Sequence, residues 1–362
     1  MNHLTFLLYI LAKSVSSIRP QLVEALRQWP QLHHDLNLND PDLKSFCQHL
    51  LLTPAQTEKF LENYNAGSAT EFIKLLKKKG IHAINIFENE YPELLNSIPD
   101  PPLVLYCRGN SSLLNSKSVA IVGSRKASSY GKSVVEKIIS GLSEHGVVTI
   151  SGLAFGIDAS VHDESLKHNL PTIAVLGGGI DNDSIYPREH YLLAQRILKS
   201  SGLIISEYPP LAEAMKHQFI ARNRVIAALS QATVIIEAAE KSGALFTADF
   251  AADYNRSVLA VPGSITSQLS FGPHELIKKG AALLSSADDL LFELGIDPIS
   301  GAVPKLKPDE QSVWECINCN KGEFEYLAKS LSFSPAQLSI IITSLELKNL
   351  IYQSAPQVYS PK

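Results

Sequence analysis

The sequence has little charge, few cysteines and no long apolar run. Charged residues make up 19% of the 362 residues and the formal net charge is −4, so no global positive field attracts a nucleic acid. A nucleic acid could therefore bind only at a local basic site, with an affinity that falls as salt rises. The four cysteines are too few to predict a disulfide framework in a chain of this length.

Two short patterns are interpreted as coincidental. Cys316 and Cys319 have the spacing of zinc and redox motifs, but no second pair and no histidine accompany them, so no metal or other cofactor is expected. Residues 4–12 are apolar like the core of a signal peptide, but no Lys or Arg precedes them, as a signal peptide would require. No apolar run is long enough to span a bilayer. We expect a cytoplasmic protein without membrane contact.

The chain predicts three domains. Residues 1–85 carry only helical patterns and predict a small all-α domain. Across residues 86–300, apolar β-branched runs alternate with helical stretches at roughly 25–30 residues, as in βα repeats with right-handed crossovers. Strands that are apolar on both faces predict a doubly wound parallel sheet, and hence an α/β fold. Residues 309–362 predict three helices and a strand pair, which indicates a winged helix, with an αα-hairpin as the alternative.

Ligands of open parallel sheets bind beyond the carboxyl ends of the strands, and here those loops are rich in glycine. The densest signal is Arg222-Asn223-Arg224, which begins an apolar helical run, with Phe219 three residues ahead. Arginine matches phosphate oxygens with a planar fork of donors, and an aromatic ring can stack on a base. The pattern favours a nucleic acid. The alternative is that both arginines are surface charges and Phe219 belongs to the core.

A second candidate phosphate site follows the first strand of the sheet. Gly123 lets the backbone approach a phosphate, the helix that follows presents free N–H groups, and Arg125 adds a charged fork. Asp158 and His162 stand one turn apart after the second strand. We interpret Asp158 as a first-turn carboxylate that the helix dipole favours, and His162 as a helix histidine with its hydrogen bonds satisfied.

Seven segments, in order, resemble the DNA-processing protein A family (DprA, also called Smf). They are VAIVGSR (119–125), SGLAFGID (151–158) with His162, AVLG (174–177), SEYP (206–209), FIARNR (219–224), SGALFTA (242–248) and VPGS (261–264). The resemblance covers roughly residues 91–291. It implies an extended Rossmann-like domain that binds single-stranded DNA. It also implies a homodimer that protects incoming DNA and loads the RecA recombinase onto it during natural transformation.

The resemblance also assigns site residues. By position, Gly123 to Arg125 resemble the family's phosphate pocket, Phe219 its base-stacking ring, and Lys216 with the Arg-Asn-Arg run its basic lip. The predicted DNA contacts are Gly123, Ser124, Arg125, Lys216, Phe219, Arg222, Asn223, Arg224, Ser242, Gly243 and Thr247. Residues 348–349 and 355–356 lack the glycines expected around a wing, and the N-terminal domain, of SAM-like type, lacks a helix-hairpin-helix glycine signature. No DNA contact is assigned to either domain.

Two classes of enzyme are alternatives to a DNA-binding protein. A nucleotide N-glycosidase of the related Rossmann-like type has a PGGxGTxxE run, which is absent here, although Glu207 and Glu237 could supply carboxylates. A dinucleotide-dependent oxidoreductase lacks its glycine fingerprint. We therefore expect no enzymatic activity. Residues 271–279 and 281–284 place apolar side chains at the predicted end of the sheet and predict the dimer surface, unless a terminal domain covers them.

Overall fold

The structure is a computed structural model, and the residues that it describes are 3–15, 20–29, 40–64, 66–297, 306–319, 321–348 and 350–361. The chain divides into two compact units, Met1–Ile296 and Asp297–Lys362. No helix in the described ranges combines the length and the apolar character needed to cross a bilayer.

The described part of the chain before residue 80 is helical. Its helices are α1 (His3–Ser14), α2 (Pro20–Arg27), α3 (Asp40–His49), α4 (Pro54–Asn63) and α5 (Ala66–Lys78). Helix α4 begins at a capping motif: the side chain of Thr53 accepts a hydrogen bond from the backbone of Gln56, and Pro54 occupies the first turn. Leu7, Phe60 and other buried residues of these helices join the same apolar core as one face of the sheet. A domain boundary at residue 85 stays a prediction.

The first unit is built on a nine-stranded sheet. Its strands are β1 (His82–Asn85), β2 (Val104–Gly109), β3 (Ser118–Val122), β4 (Val148–Ser151), β5 (Thr172–Leu176), β6 (Leu203–Ser206), β7 (Ala232–Ile235), β8 (Ser257–Ala260) and β9 (Ala282–Leu283). They lie in the order β1-β2-β6-β5-β4-β3-β7-β8-β9. Strands β3 to β9 are parallel, whereas β2 is antiparallel to both β1 and β6. Sequence patterns did not predict β1.

Helices cover both faces of this sheet. They are α6 (Glu93–Asn96), α7 (Ser129–Leu142), α8 (Ile157–Lys167), α9 (Tyr191–Lys199), α10 (Lys216–Ala228), α11 (Gly243–Asp253), α12 (Phe271–Lys278) and α13 (Ala287–Glu293). Alternate residues of β3 enter different cores: Val119 and Ile121 pack in one, Ala120 and Val122 in the other. This period of two along a fully buried strand is what a sheet covered on both sides requires. The predicted Rossmann-like doubly wound fold is confirmed.

The strand order creates one place suited to a ligand. From β3 the chain winds outward to β6 on one side, and then returns to add β7 to β9 on the other. The connections that follow β3 and β7 therefore diverge, which leaves a crevice beyond the carboxyl ends of these neighbouring strands.

The second unit has its own small core. It contains α14 (Pro308–Asn318), α15 (Phe324–Ser330), α16 (Pro335–Leu347), and the antiparallel pair β10 (Ile351–Ala355) and β11 (Val358–Pro361). Three helices followed by a strand pair match the order that the sequence predicts. Glu310 on α14 accepts hydrogen bonds from Lys348 Nζ at 2.5 Å and from the Ser344 hydroxyl at 2.7 Å. These contacts join the first and third helices of the unit.

Candidate nucleic-acid interface

A cavity of about 690 Å³ lies at the crevice between β3 and β7. Its walls come from the loop after β3, the segment before α8, the first turns of α10 and the N-terminal part of α11. Ten of the eleven sequence-predicted contact residues line it, and these are Gly123, Ser124, Arg125, Lys216, Phe219, Arg222, Asn223, Ser242, Gly243 and Thr247. The eleventh, Arg224, is not among the described lining residues.

The loop after β3 is held by close backbone packing. Gly156 has φ of +81°, and a Cβ there would lie 2.2 Å from the carbonyl oxygen of Ser124. Glycine is therefore required at position 156 for two reasons, backbone conformation and contact distance. The N–H of Ile157 donates to the same oxygen at 3.1 Å. These contacts fix the backbone that carries Arg125, whose side chain is exposed.

Aromatic rings form one side of the cavity. Phe219 is half-buried, and its ring centroid lies 5.4 Å from that of Tyr186 and 5.7 Å from the guanidinium carbon of Arg125. Gly177 permits this position, since a Cβ there would lie 3.0 Å from the Phe219 ring. The glycine run after β5 thus makes room for α10. The half-exposed ring, beside a cation, offers a flat face on which a base can stack.

Three exposed cations surround the cavity: Arg125, Lys216 and Lys241. None of them forms an ion pair with a described residue. Lys216 is the first residue of α10, where the helix dipole disfavours a cation. Helices α7, α10 and α11 have no acidic residue in their first turns. The one carboxylate among the described lining residues, Asp158 in the first turn of α8, neighbours the buried Arg222. The exposed cations and the N-termini of α10 and α11 therefore suit an anionic ligand.

The N-terminus of α11 adds polar groups. Ser242 caps the helix, its hydroxyl accepting from the N–H of Ala244, and the Asn223 amide donates to the carbonyl oxygen of Gly243 at 3.1 Å. The second contact ties α11 to α10 across the cavity. Thr247 is buried, and its hydroxyl has no hydrogen-bond partner among the described residues. A buried hydroxyl that lacks a partner, on a residue that lines a cavity, is a candidate to bind a ligand atom or a water.

Arg222 forms the floor of the cavity. Its side chain is buried and donates to the carbonyl oxygens of Gly152, at 2.8 Å, and Val175. Burial lowers the pKa of Arg222 to about 10, and the neighbouring Asp158 carboxylate opposes that shift. The guanidinium therefore stays charged at neutral pH. Burial raises the pKa of Asp158, which Arg222 and backbone N–H groups oppose. Asp158 lies in the first turn of α8, and its structural role stays a prediction.

Arg224 lies on a different side of α10. Its guanidinium pairs with Asp100, Nε to Oδ2 at 3.1 Å, and with Glu207, Nη2 to Oε2 at 2.5 Å. The side chains of Arg224 and Glu207 are largely buried. This cluster joins α10 to the segment that precedes β2 and to the loop after β6. A DNA contact by Arg224 stays a prediction that the geometry does not favour.

The remaining candidates for chemistry have structural partners. His162 Nδ1 lies 2.7 Å from the Thr172 hydroxyl, but Nε2 is buried and has no partner among the described residues, so the prediction that both hydrogen bonds are satisfied is wrong. Burial, aided by His190 and Arg222, lowers the His162 pKa to about 3. The ring is therefore neutral. Glu237 is buried and accepts from Ser128 N at 2.9 Å and from the Ser128 hydroxyl. Glu207 is paired with Arg224. The described residues contain no His, Cys, Asp and Glu cluster that could hold a metal ion.

Nine lining residues were not predicted, and the aromatic and cationic ones among them are Tyr186, Lys241 and Phe246. Lys241 could have been found, because it directly precedes the predicted Ser242-Gly243 contact. Tyr186 follows the glycine run by several residues, and only the fold brings its ring beside Phe219. From the sequence alone Phe246 would be assigned to the core, because its neighbours Leu245 and Ala248 are apolar.

The comparisons with known proteins define the family. Residues 82–295 match the family model of DNA recombination-mediator protein A. The chain is 38% identical over 274 residues to DNA processing protein DprA of Streptococcus pneumoniae, covering 75% of this chain and 92% of that protein. It is 36% identical over 270 residues to the Bacillus subtilis protein of the same name, covering 74% and 89%. The chain belongs to the DNA recombination-mediator protein A family.

Two solved structures agree with this membership. The X-ray structure of DNA processing protein A from Streptococcus pneumoniae matches with a TM-score of 0.68 at 34% identity, covering 79% of this chain and 96% of that one. The Helicobacter pylori protein, whose structure is described as showing a unique single-stranded DNA binding mode, matches with a TM-score of 0.53 at 31% identity, covering 59% and 95%.

Proposed function

We propose that the protein binds single-stranded DNA in the cavity between β3 and β7, without sequence preference. The observation that carries the proposal is the combination of Arg125, Lys216 and Lys241, all exposed and unpaired among the described residues, with the half-exposed ring of Phe219. Cations that track phosphates beside a ring that stacks on bases are the general design of single-strand binding. Membership of the family supports the same reading.

The form of the cavity favours a single strand over a duplex. A base can lie on Phe219 only if it has left its pair, and paired bases do not present their faces. The contacts proposed here are to phosphates and to the face of one base. Such contacts carry no sequence information.

A binding role fits the site better than catalysis. The carboxylates weighed for a glycosidase, Glu207 and Glu237, are each held by a structural partner and do not line the cavity. The lining carboxylate, Asp158, faces Arg222. We therefore propose that the protein is not an enzyme. Its proposed role is to protect incoming single strands in the cytoplasm and to load the RecA recombinase onto them during natural transformation.

We further propose a homodimer formed at the β9 end of the sheet. Ile265, Phe271 and Leu283 are large apolar side chains exposed near this end, with Leu283 on the terminal strand itself. Exposed sheet edges with apolar neighbours are usually covered by a partner, and a twofold contact is the commonest arrangement. Leu276, in contrast, is half-buried against the core, so it is a poor residue with which to probe the surface.

A competition experiment tests the proposed function. A labelled oligothymidine bound to the protein is displaced by unlabelled single strands of mixed sequence and by duplex of equal length, at several salt concentrations. The proposal predicts that single strands of different sequence compete equally and that duplex competes poorly at each salt. Equal competition by duplex would contradict it. RecA assembly on the same strands, with and without the protein, tests the loading step separately.

A further inference from the structure

Phe246 exposes an aromatic ring on α11 with no role in the core. The ring lies in the first turns of the helix, is 46% exposed and lines the same cavity as Phe219. Its helical neighbours Ala244, Thr247 and Ala248 are among the residues that α11 buries. A phenylalanine on the outer side of a helix stays in contact with water unless a ligand or a partner covers it.

Groups suited to a phosphate lie beside this ring. Lys241 is exposed at the cavity, and the first turn of α11 has no acidic residue. Thr247 lines the cavity, and its hydroxyl is buried and has no partner among the described residues. A helix N-terminus together with such a hydroxyl and a cation forms a place for an anionic oxygen. Asn223 holds the loop in position through Gly243.

Helices α10 and α11 each carry a ring that lines the cavity, Phe219 and Phe246. A third ring, Tyr186 in the connection after β5, lies beside Phe219. The volume of about 690 Å³ lies in the upper half of the range of about 300–1,000 Å³ that is usual for sites of drug-sized ligands. It can hold more than one nucleotide unit. A phosphate near Lys241 and Thr247 would connect bases that stack on either side.

We propose that Phe246 is a second base-stacking platform, so that one strand places one base on Phe219 and another on Phe246. The phosphate that connects these nucleotides lies at Lys241, Gly243 and Thr247. The proposal rests on the proposed function, because it names a further subsite for the same single strand. It adds that the cavity requires at least two bases and that α11 contributes stacking as well as electrostatic contacts.

Oligothymidine and a fully abasic strand of equal length separate stacking from phosphate contact. Phe246→Ala should weaken oligothymidine binding by about 5- to 150-fold, the range for one lost stacked base, and should leave abasic-strand binding within twofold of the native protein. Phe246→Leu should behave like the alanine variant, because it keeps apolar bulk without a ring. Phe246→Trp should retain binding. Phe292→Ala, an exposed ring outside the cavity, should have no effect on either strand.

Three results would overturn the proposal. Oligothymidine binding by Phe246→Ala within twofold of the native protein would mean that no base lies on the ring. An equal loss on the abasic strand would assign Phe246 to support of the backbone. A change of molecular mass by light scattering for Phe246→Ala would assign the ring to a subunit contact. Failure of the proposed function is distinguishable, since the native protein itself would then not prefer single strands.

Discussion

At the residue scale, Phe219 and the surrounding cations have different roles. Phe219→Ala should weaken single-strand binding by about 1–3 kcal/mol per stacked base, while the dependence on salt stays nearly unchanged because no phosphate contact is lost. Titration of oligothymidine at four salt concentrations measures both quantities. Circular dichroism melting of the same variant checks the fold, since Phe219 also contacts Gly177 and Tyr186. A large drop in melting temperature with no specific loss of affinity would mean that the ring belongs to the core.

Arg224 should behave differently from the cavity cations. Arg224→Ala leaves Glu207 buried without its partner, and loss of one member of a buried ion pair costs about 3–5 kcal/mol. We expect the free energy of unfolding in urea to fall by that amount. Replacing both residues, with Arg224→Met and Glu207→Leu, should cost less than Arg224→Ala alone. If Arg224→Ala keeps native stability and loses DNA affinity, Arg224 is a DNA contact after all.

The directions in which the side chains of α10 project show what the sequence could and could not predict at this scale. Residues 222 and 224 are two positions apart, so they project about 200° apart on a helix. At most one of the two arginines can therefore face the ligand that Phe219 faces, and the spacing in the sequence was enough to predict this. The partners of Arg224 were not predictable, because Asp100 and Glu207 lie far away in sequence. The cavity position of Arg222 was predictable, but its use of backbone carbonyls as partners was not.

At the scale of elements, the strands themselves were predictable from the sequence, but their order in the sheet was not. Continuous β-branched runs predicted the parallel strands of the sheet, because strands buried on both faces leave a distinct pattern. Strand β1 was missed. It has a single β-branched residue, Ile84, and lies shortly after a helix, so its pairing with β2 depends on tertiary contacts. The crevice between β3 and β7 depends on strand order, which local patterns do not encode.

The second unit offers a test by pH. Its Glu310 accepts hydrogen bonds from Lys348, the Lys307 N–H and Ser344, which hold the Glu310 pKa at about 2. Since an unfolded glutamate has a pKa of about 4.3, the contribution to stability is complete above that value and is lost as pH falls through it toward 2. Glu310→Gln should destabilise this unit by about 1.5–3 kcal/mol at pH 7, and the difference should close as pH approaches 2.

Fluorescence of Trp314, in a Trp29→Phe background, follows the unfolding of this unit. Glu315→Gln provides the matched control, because Glu315 lies on the same helix and is exposed. We expect the control to match the native protein at every pH. A stability difference between Glu310→Gln and the native protein that stays constant from pH 7 to pH 2 would contradict the assigned role.

At the scale of the whole molecule, the proposed dimer should depend on β9. Leu283→Glu places a charge on an exposed position of the terminal strand, where burial against a partner would cost several kcal/mol unless the charge is paired. The variant should be a folded monomer by light scattering at micromolar concentration. It should also bind long single strands less tightly, since two linked sites gain from avidity. Lys199→Glu, a charge change on α9, should remain dimeric. A dimeric Leu283→Glu would place the contact elsewhere.

The most direct test of the central claim is the salt dependence of binding by a variant that lacks the cavity cations. The claim is that Arg125, Lys216 and Lys241 bind phosphates of one strand. Each phosphate contact on a single strand contributes about 0.7 to the slope of log affinity against log salt. Replacing all of them with alanine should therefore reduce the slope by about 2 and weaken binding to every sequence by a similar factor. Lys199→Ala should leave both quantities unchanged. A triple variant with the native slope would show that the strand binds outside this cavity.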